Sequence, residues 1–415
     1  MKFEEMELNP LILKEIKKQG FTEPTEIQQK CIPEIRKGND VVGQSLTGSG
    51  KTVAFAIPII EKIVPGKGVQ ALVLTPTREL CVQVKDAFDT FGKAMKISSA
   101  AVYGGTGMQS QFYALRKAEV VVATPGRLLD HINRGTVRFE SLKFLVLDEV
   151  DRMLDMGFIS SVDRIIQRLP KNRQTLLFSA TFSESVHALA RKFLHNPVSL
   201  KAQVSVDKSL LKQVYYPVKD HEKLPILLHL LKHKTSGFAL VFCATRHHVN
   251  MLTRSLQSKG INSMAIHGGL SQNRRLYALD ALKNEHIDVL VATDVAARGL
   301  DIKNVTHVYN YDVPKTSEGY THRIGRTARA GKGGDAITIL TQADFENFRS
   351  VLADKSIEIA EAELPPPFEK AKFSTSAPRF ESRSAPRGFA AKRKFGGGRS
   401  SGGRKFMNHG YKRNR

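Results

Sequence analysis

The chain has 415 residues, too many for one comfortable hydrophobic core, and a composition, 41% hydrophobic, that fits a soluble globular protein. Lysine and arginine number 63 against 40 acids, a formal net charge of +23, which favours a polyanionic partner. Cys31, Cys81 and Cys243 are odd in number and widely separated, which excludes a disulfide framework and fits a reducing cytosol. No apolar run approaches the roughly 20 residues that span a bilayer, and the N-terminus lacks the basic-then-apolar pattern of a secretory leader. A cytoplasmic protein without membrane contact is expected.

In chain order, apolar and charged residues alternate at helical spacing from Leu8 to the helix-stopping Gly20, and a second helix is predicted over Thr25–Ile35. Short β-rich runs then alternate with longer helical ones: Val41–Gln44, Ala71–Leu74, Val120–Ala123, Phe144–Leu147 and Thr175–Phe178. Such alternation predicts a parallel sheet covered by helices. Around Asn196–Leu210 the period loosens, which places an interdomain linker at about 203–210. The rhythm restarts with Phe238–Phe242, Ser263–Ile266, Val289–Ala292, Val305–Tyr309 and Ala336–Leu340. Two α/β domains follow, over 1–205 and 206–360, with a third segment at 361–415. In that segment apolar periodicity disappears after Pro365-Pro366-Pro367, and a disordered tail is expected because too little apolar surface remains to offset chain entropy.

Two stretches carry chemistry. Phe144-Leu145-Val146-Leu147 breaks into Asp148-Glu149-Val150-Asp151, three carboxylates within four residues at a strand end. Ligands bind at the carboxyl ends of strands in open α/β sheets, and magnesium is the natural partner for such acids when phosphates complete its shell. The phosphate cradle is Ser45-Leu46-Thr47-Gly48-Ser49-Gly50-Lys51-Thr52, between a strand and a helix. Its glycines let backbone N–H groups close around phosphate, Lys51 reaches the β and γ phosphates, and the Thr52 hydroxyl faces magnesium.

Lys51-Thr52, Asp148-Glu149-Val150-Asp151 and Ser179-Ala180-Thr181 stand in the order and setting of a DEAD-box RNA helicase of superfamily 2, which the chain resembles over about residues 1–350. The departures are Ser45 for the first loop glycine, Val150 for the alanine of the family name, and Ala328 for a frequent glycine. The resemblance implies two tandem RecA-like domains, each a mainly parallel sheet flanked by helices. It also implies an ATP site to which Phe21, Thr25 and Gln28 contribute as the Q motif, Phe3 as an aromatic that stacks on the base, and Thr47, Gly48, Ser49, Gly50, Lys51 and Thr52 as the cradle. An amide such as Gln28 can match the donor and acceptor of adenine together.

By the same resemblance, Pro76, Thr77, Arg78, Gly105, Thr124 and Arg127 touch the RNA backbone from the first domain, and Arg246, Arg275 and Thr293 from the second. Asp301 approaches the nucleotide ribose, while Arg326 and Arg329 reach across to the γ-phosphate as arginine fingers. For hydrolysis, Asp148 and Thr52 are assigned to Mg2+, Glu149 to the attacking water, and Lys51, Arg326 and Arg329 to the developing charge. Asp151, Ser179, Thr181 and His322 link hydrolysis to domain closure.

The expected activity is RNA-dependent ATP hydrolysis that opens short duplexes or remodels ribosomal or messenger ribonucleoprotein, with a monomeric core. The alternatives are a DNA-translocating helicase, disfavoured by Gln28 and the Ser-Ala-Thr signature, and an ATP-gated RNA clamp or scaffold without productive unwinding. From Lys370 to Arg415 fourteen basic residues stand against one acid, Glu381, interleaved with Phe380, Phe389, Phe395, Phe406 and Tyr411. Cations beside stacking rings predict an RNA-binding tether.

Overall fold

The structure, a computed structural model, describes residues 2–45, 48–202, 210–234, 237–297, 305–328 and 333–365. Contacts divide the chain into units Met1–Ala377 and Pro378–Arg415, and the second lies wholly outside the described residues. Of the tail expected over 361–415, residues 361–365 are described, and Glu361 belongs to a strand pair instead of disordered chain, while 366–415 lie outside the described residues.

Seven strands form the first sheet: β1 (Val41–Gln44), β2 (Ala71–Leu74), β3 (Ser99–Val102), β4 (Val120–Ala123), β5 (Phe144–Leu147), β6 (Gln174–Ser179) and β7 (Val198–Lys201). Seven more form the second: β8 (Leu211–Pro217), β9 (Phe238–Phe242), β10 (Ser263–Ile266), β11 (Val289–Ala292), β12 (Val305–Asn310), β13 (Gly334–Leu340) and β14 (Ala360–Glu361). The orders are β3-β4-β2-β5-β6-β1-β7 and β10-β11-β9-β12-β13-β8-β14, so adding seven to each label turns the first into the second. Every pairing is parallel.

Strands β2, β4, β5, β9 and β11 are apolar at every position because helices cover both faces. Side chains alternate between the faces: Ala71 and Val73 join one core cluster, Leu72 and Leu74 the other. In the second sheet Val241 packs on one side, and Leu240 and Phe242 on the opposite one. With all strands parallel, the loops that follow them gather along one edge of each sheet, where the chemistry-bearing motifs lie.

The strands read as apolar runs are present. The weakly patterned β3, β7, β8 and β14 are additions, and β7 corrects the expectation of irregular chain around Asn196–Leu210. At the N-terminus, helices Pro10–Lys18 and Glu26–Lys37 flank Gly20, whose φ of +75° ends the first.

Candidate nucleotide site and nucleic-acid interface

The loop after β1 is shaped by Gly48 (φ +85°) and Gly50 (φ +92°). At Gly50 the positive φ favours glycine, and an added Cβ would displace the Gln28 side-chain amide. Lys51 begins helix Lys51–Lys62, is buried, and donates to the Ser45 carbonyl at 3.0 Å. The Ser49 hydroxyl donates to Ser45 Oγ at 2.8 Å, so serine at the loop's first position is part of its hydrogen bonding. Thr52 is partly exposed at the next helical position. Thr47 lies outside the described residues.

Gln28 is buried and its amide spans two elements: Oε1 accepts from the Thr25 N–H at 3.0 Å, and Nε2 donates to the Gly50 carbonyl at 3.1 Å. It therefore straps the cradle to helix Glu26–Lys37, a role that the sequence pattern did not suggest. Phe21 is partly buried and stacks on Phe91, with centroids 6.4 Å apart. Phe3 is only 2% exposed, within the core cluster that includes Ile12 and Ile16. A ring that stacks on a ligand must present a face to it, so Phe3 is corrected from base contact to core packing.

Asp148 and Glu149 follow β5 and are both buried. Asp148 Oδ1 has no hydrogen-bond partner, an arrangement rare for a buried carboxylate. Burial, opposed by Lys51 and reinforced by Glu149, pushes the Asp148 carboxyl up to about 7. Burial acts on Glu149 too, but the charges of Arg152, Lys51 and Arg326 together hold its carboxyl below the ordinary value. Glu149 adopts a left-handed backbone (φ 54°, ψ 56°) at the start of helix Val150–Asp155. Val150 is 1% exposed in the core, so the residue that departs from the family name packs inward.

Asp151 is bonded to the next strand's loop. Its Oδ2 accepts from the N–H groups of Ala180 and Thr181, both at 3.1 Å, and the Ser179 hydroxyl donates to the Thr181 carbonyl at 2.7 Å. Asp151 is thus bonded directly to Ala180 and Thr181, and Ser179 joins them through the Thr181 carbonyl.

From the second sheet, helix Ser317–Ile324 leads into Arg326, which is buried, donates from Nε to the His322 carbonyl at 3.3 Å, and acts electrostatically on Glu149. Arg323, not assigned a role from sequence, is 2% exposed and holds Asp294 with two guanidinium bonds of 2.5 and 2.7 Å. Ala328 takes φ 53°, the left-handed region where glycine costs nothing. Asp301 and Arg329 lie outside the described residues.

The motifs expected to meet RNA occur as two copies of one unit. After β2, Pro76 and Thr77 are buried, Thr77 Oγ1 caps helix Arg78–Gly92 by accepting from the Leu80 N–H, and Arg78 lies against Gly104-Gly105 after β3. After β9, Thr245 Oγ1 caps helix Arg246–Ser258 by accepting from the His248 N–H, and Arg246 lies against Gly268-Gly269 after β10. Thr124 after β4 and Thr293 after β11 complete each copy, both 9% exposed. Arg127 donates to the Thr106 carbonyl at 3.1 Å, behind the first glycine pair.

Arg275 is placed differently from expectation. Its guanidinium lies 2.8 Å from Glu79 Oε2, while Gln272 Nε2 donates to Glu79 Oε1 at 2.8 Å. It bridges the two sheets instead of presenting itself to a phosphate. Glu79 and Gln272, both buried, are further residues to which the sequence reading gave no role.

The repeat also exposes a contrast. Helix Lys223–Lys232 after β8 begins with a lysine, as does the helix after β1, and Asp312 follows β12 as Asp148 follows β5. Lys223 pairs with Asp312 at 3.1 Å and Asp344 at 2.9 Å, beneath a cavity of about 360 Å3. Among the described residues no group of three or more His, Cys, Asp or Glu converges as a metal cage, and no helix is long and apolar enough to cross a membrane.

Comparison with known proteins agrees with this geometry. The DEAD/DEAH box helicase family matches residues 25–189, and the helicase conserved C-terminal domain matches 222–331. The chain is 45% identical over 346 residues to the DEAD-box ATP-dependent RNA helicase CshA of Geobacillus kaustophilus, covering 83% of this chain and 74% of that one. It is 45% identical over 354 residues to the ATP-dependent RNA helicase CshA of Listeria monocytogenes, covering 84% and 68%. Among solved structures it resembles S. cerevisiae Dbp5 bound to RNA and ADP BeF3, with a TM-score of 0.79 and 34% identity over 87% of this chain and 95% of that one. It also resembles the DEAD-box helicase Mss116 bound to ssRNA and UDP-BeF, with a TM-score of 0.78 and 28% identity over 88% and 80%. Two tandem RecA-like domains, a glycine-shaped cradle facing paired acids and this degree of identity establish that the chain belongs to the DEAD-box family of ATP-dependent RNA helicases.

Proposed function

We propose that the chain opens short RNA duplexes and remodels RNA–protein complexes by closing two domains, 1–205 and 206–360, around ATP and one RNA strand. The observation that carries this is the composite site: Glu149 of the first sheet sits in the field of Arg326 of the second, so groups needed for hydrolysis come from both halves. The Glu79–Arg275 bridge and the likeness to RNA-bound Dbp5 support it.

The residues fit magnesium. An unpartnered buried Asp148 oxygen and the Thr52 hydroxyl beside a phosphate cradle are hard oxygen donors, too few for a cage without the ligand's phosphates. Asp148 and Thr52 would hold the ion, which when bound neutralises phosphate charge. Glu149 accepts a hydrogen bond from the attacking water and orients it. Lys51, Arg326 and Arg329 face the charge that builds on the transferring phosphoryl group. Gln28 keeps a second lone pair and a second N–H for an adenine edge.

RNA is gripped through its backbone, so base preference is weak, and 2′-OH contacts favour RNA over DNA. The 361–415 segment tethers RNA by charge and stacking. Three free, buried cysteines suit a reducing compartment, and we place a monomeric enzyme in the cytoplasm acting on ribosomal or messenger ribonucleoprotein.

The test measures ATP hydrolysis with single-stranded RNA, with single-stranded DNA and without either, beside Glu149→Gln. Stimulation by RNA alone, abolished in the variant, is expected. Equal stimulation by DNA overturns the RNA assignment. RNA-stimulated hydrolysis without strand separation on short duplexes identifies a clamp instead.

A further inference from the structure

With Glu149 orienting the attacking water as proposed above, we propose that Arg152 is the positioning residue that fixes that carboxylate. Arg152 sits one turn into helix Val150–Asp155, and its side chain folds back three residues so that Nη1 lies 3.3 Å from Glu149 Oε2. Both side chains are nearly sealed from solvent, at 7% and 6% exposure. Burying a guanidinium is unfavourable unless it is paired, and an apolar residue would fill this place in the helix at lower cost. The charge is therefore explained by its partner and not by the packing.

Three further hydrogen bonds tie this turn to the neighbouring loop. The Arg152 N–H donates to Asp151 Oδ1 at 2.9 Å, while Asp151 Oδ2 holds the N–H groups of Ala180 and Thr181. A continuous path thus runs from the Ser179-Ala180-Thr181 loop through Asp151 and Arg152 to Glu149. Glu149 itself adopts a left-handed backbone, which is unfavourable for an L-residue and needs surrounding contacts to persist. Arg152 supplies a hydrogen-bonded contact that restrains the side chain projecting from that backbone. Holding Oε2 sets the plane of the carboxylate, and a displaced catalytic group loses on the order of a hundredfold in rate for about 1 Å.

The experiment compares Arg152→Ala and Arg152→Lys with the unaltered full-length chain at saturating RNA, alone and combined with Glu149→Gln. Arg152→Ala is expected to lower kcat about tenfold or more with KM for ATP and RNA affinity within about twofold, the signature of a loss confined to the transition state. Arg152→Lys is expected to recover part of it. In the Glu149→Gln background, single-turnover hydrolysis is expected to fall less than about twofold further, because the two residues act as one unit. An unchanged kcat in Arg152→Ala, a loss carried by KM, or a full multiplicative loss in the Gln background overturns the proposal. Should Arg152→Ala not fold, Arg152→Lys decides: a kcat reduced about threefold at constant KM supports it, and an unchanged kcat overturns it. Activity retained by Glu149→Gln alone overturns the assignment of Glu149, a separate result.

Discussion

Glu79, in the first turn of the helix after β2, is 2.8 Å from Arg275 of the second sheet, and Glu79 is the more deeply buried partner. Removing one member of a buried ion pair leaves the other unpaired, at about 3–5 kcal/mol. Arg275→Ala is therefore expected to weaken RNA-stimulated hydrolysis at least about tenfold. Nucleotide affinity without RNA is expected to stay unchanged, because the cradle lies on the first sheet. Steady-state ATPase and fluorescent-nucleotide titration separate the two effects.

Gly50→Ala combines a left-handed φ with a Cβ that crowds Gln28 Nε2. The backbone term alone is about 1–2 kcal/mol, and the amide must move as well. ATP binding is expected to fall by tenfold or more, while melting of the nucleotide-free protein shifts by only a few degrees. Titration calorimetry and thermal denaturation check this.

Ala328→Gly is expected to act in the opposite sense. At φ 53° alanine carries strain that glycine does not, partly offset by glycine's larger chain entropy. A gain of about 0.5–1 kcal/mol in urea unfolding is expected.

Lys223 and Asp312 give a pH dependence. Burial alone would raise the Asp312 carboxyl, but Lys223, the Ala244 N–H and His248 hold it below the ordinary value. Burial would lower Lys223, but Asp312 and Asp344 raise it. The carboxylate contribution is therefore complete above its unfolded value of about 3.9 and is lost as pH falls through the lower folded one. The lysine contribution is complete below about 10.4 and is lost as pH rises through the higher folded one. Lys223→Met is expected to cost about 3–5 kcal/mol at pH 7, shrinking toward acid as the stranded carboxylates protonate.

Truncation after about Pro367 removes fourteen basic residues and is expected to leave RNA-saturated kcat unchanged. It is expected to weaken RNA affinity and flatten the plot of log affinity against log salt. Equal slopes in both forms would count against the tether.

The buried strands and phosphate loop were legible because apolar runs such as Val120–Ala123, and glycines beside Lys51, are local patterns. The strands β3, β7 and β14 were not, since edge strands carry exposed positions: Val198–Lys201 alternates, and Ala360 and Glu361 are both exposed. Partnerships across long separations were equally invisible. Nothing near Arg275 announces Glu79, 196 positions away, and nothing near Phe3 distinguishes a stacking ring from a core ring. Arg152 could have been noticed as a cation one turn after the acids, at helical spacing from Glu149.

The two matching sheet orders have a consequence for stoichiometry. Where the first sheet sets Lys51 opposite an unpartnered Asp148 oxygen, the second sets Lys223 between two carboxylates that already neutralise it. A polyphosphate arriving at the second position would meet negative charge with its lysine occupied. A molecule built from two near-copies of one architecture is therefore expected to take up a single nucleotide per chain, which titration calorimetry checks, with the second half free for the RNA-gripping role proposed above.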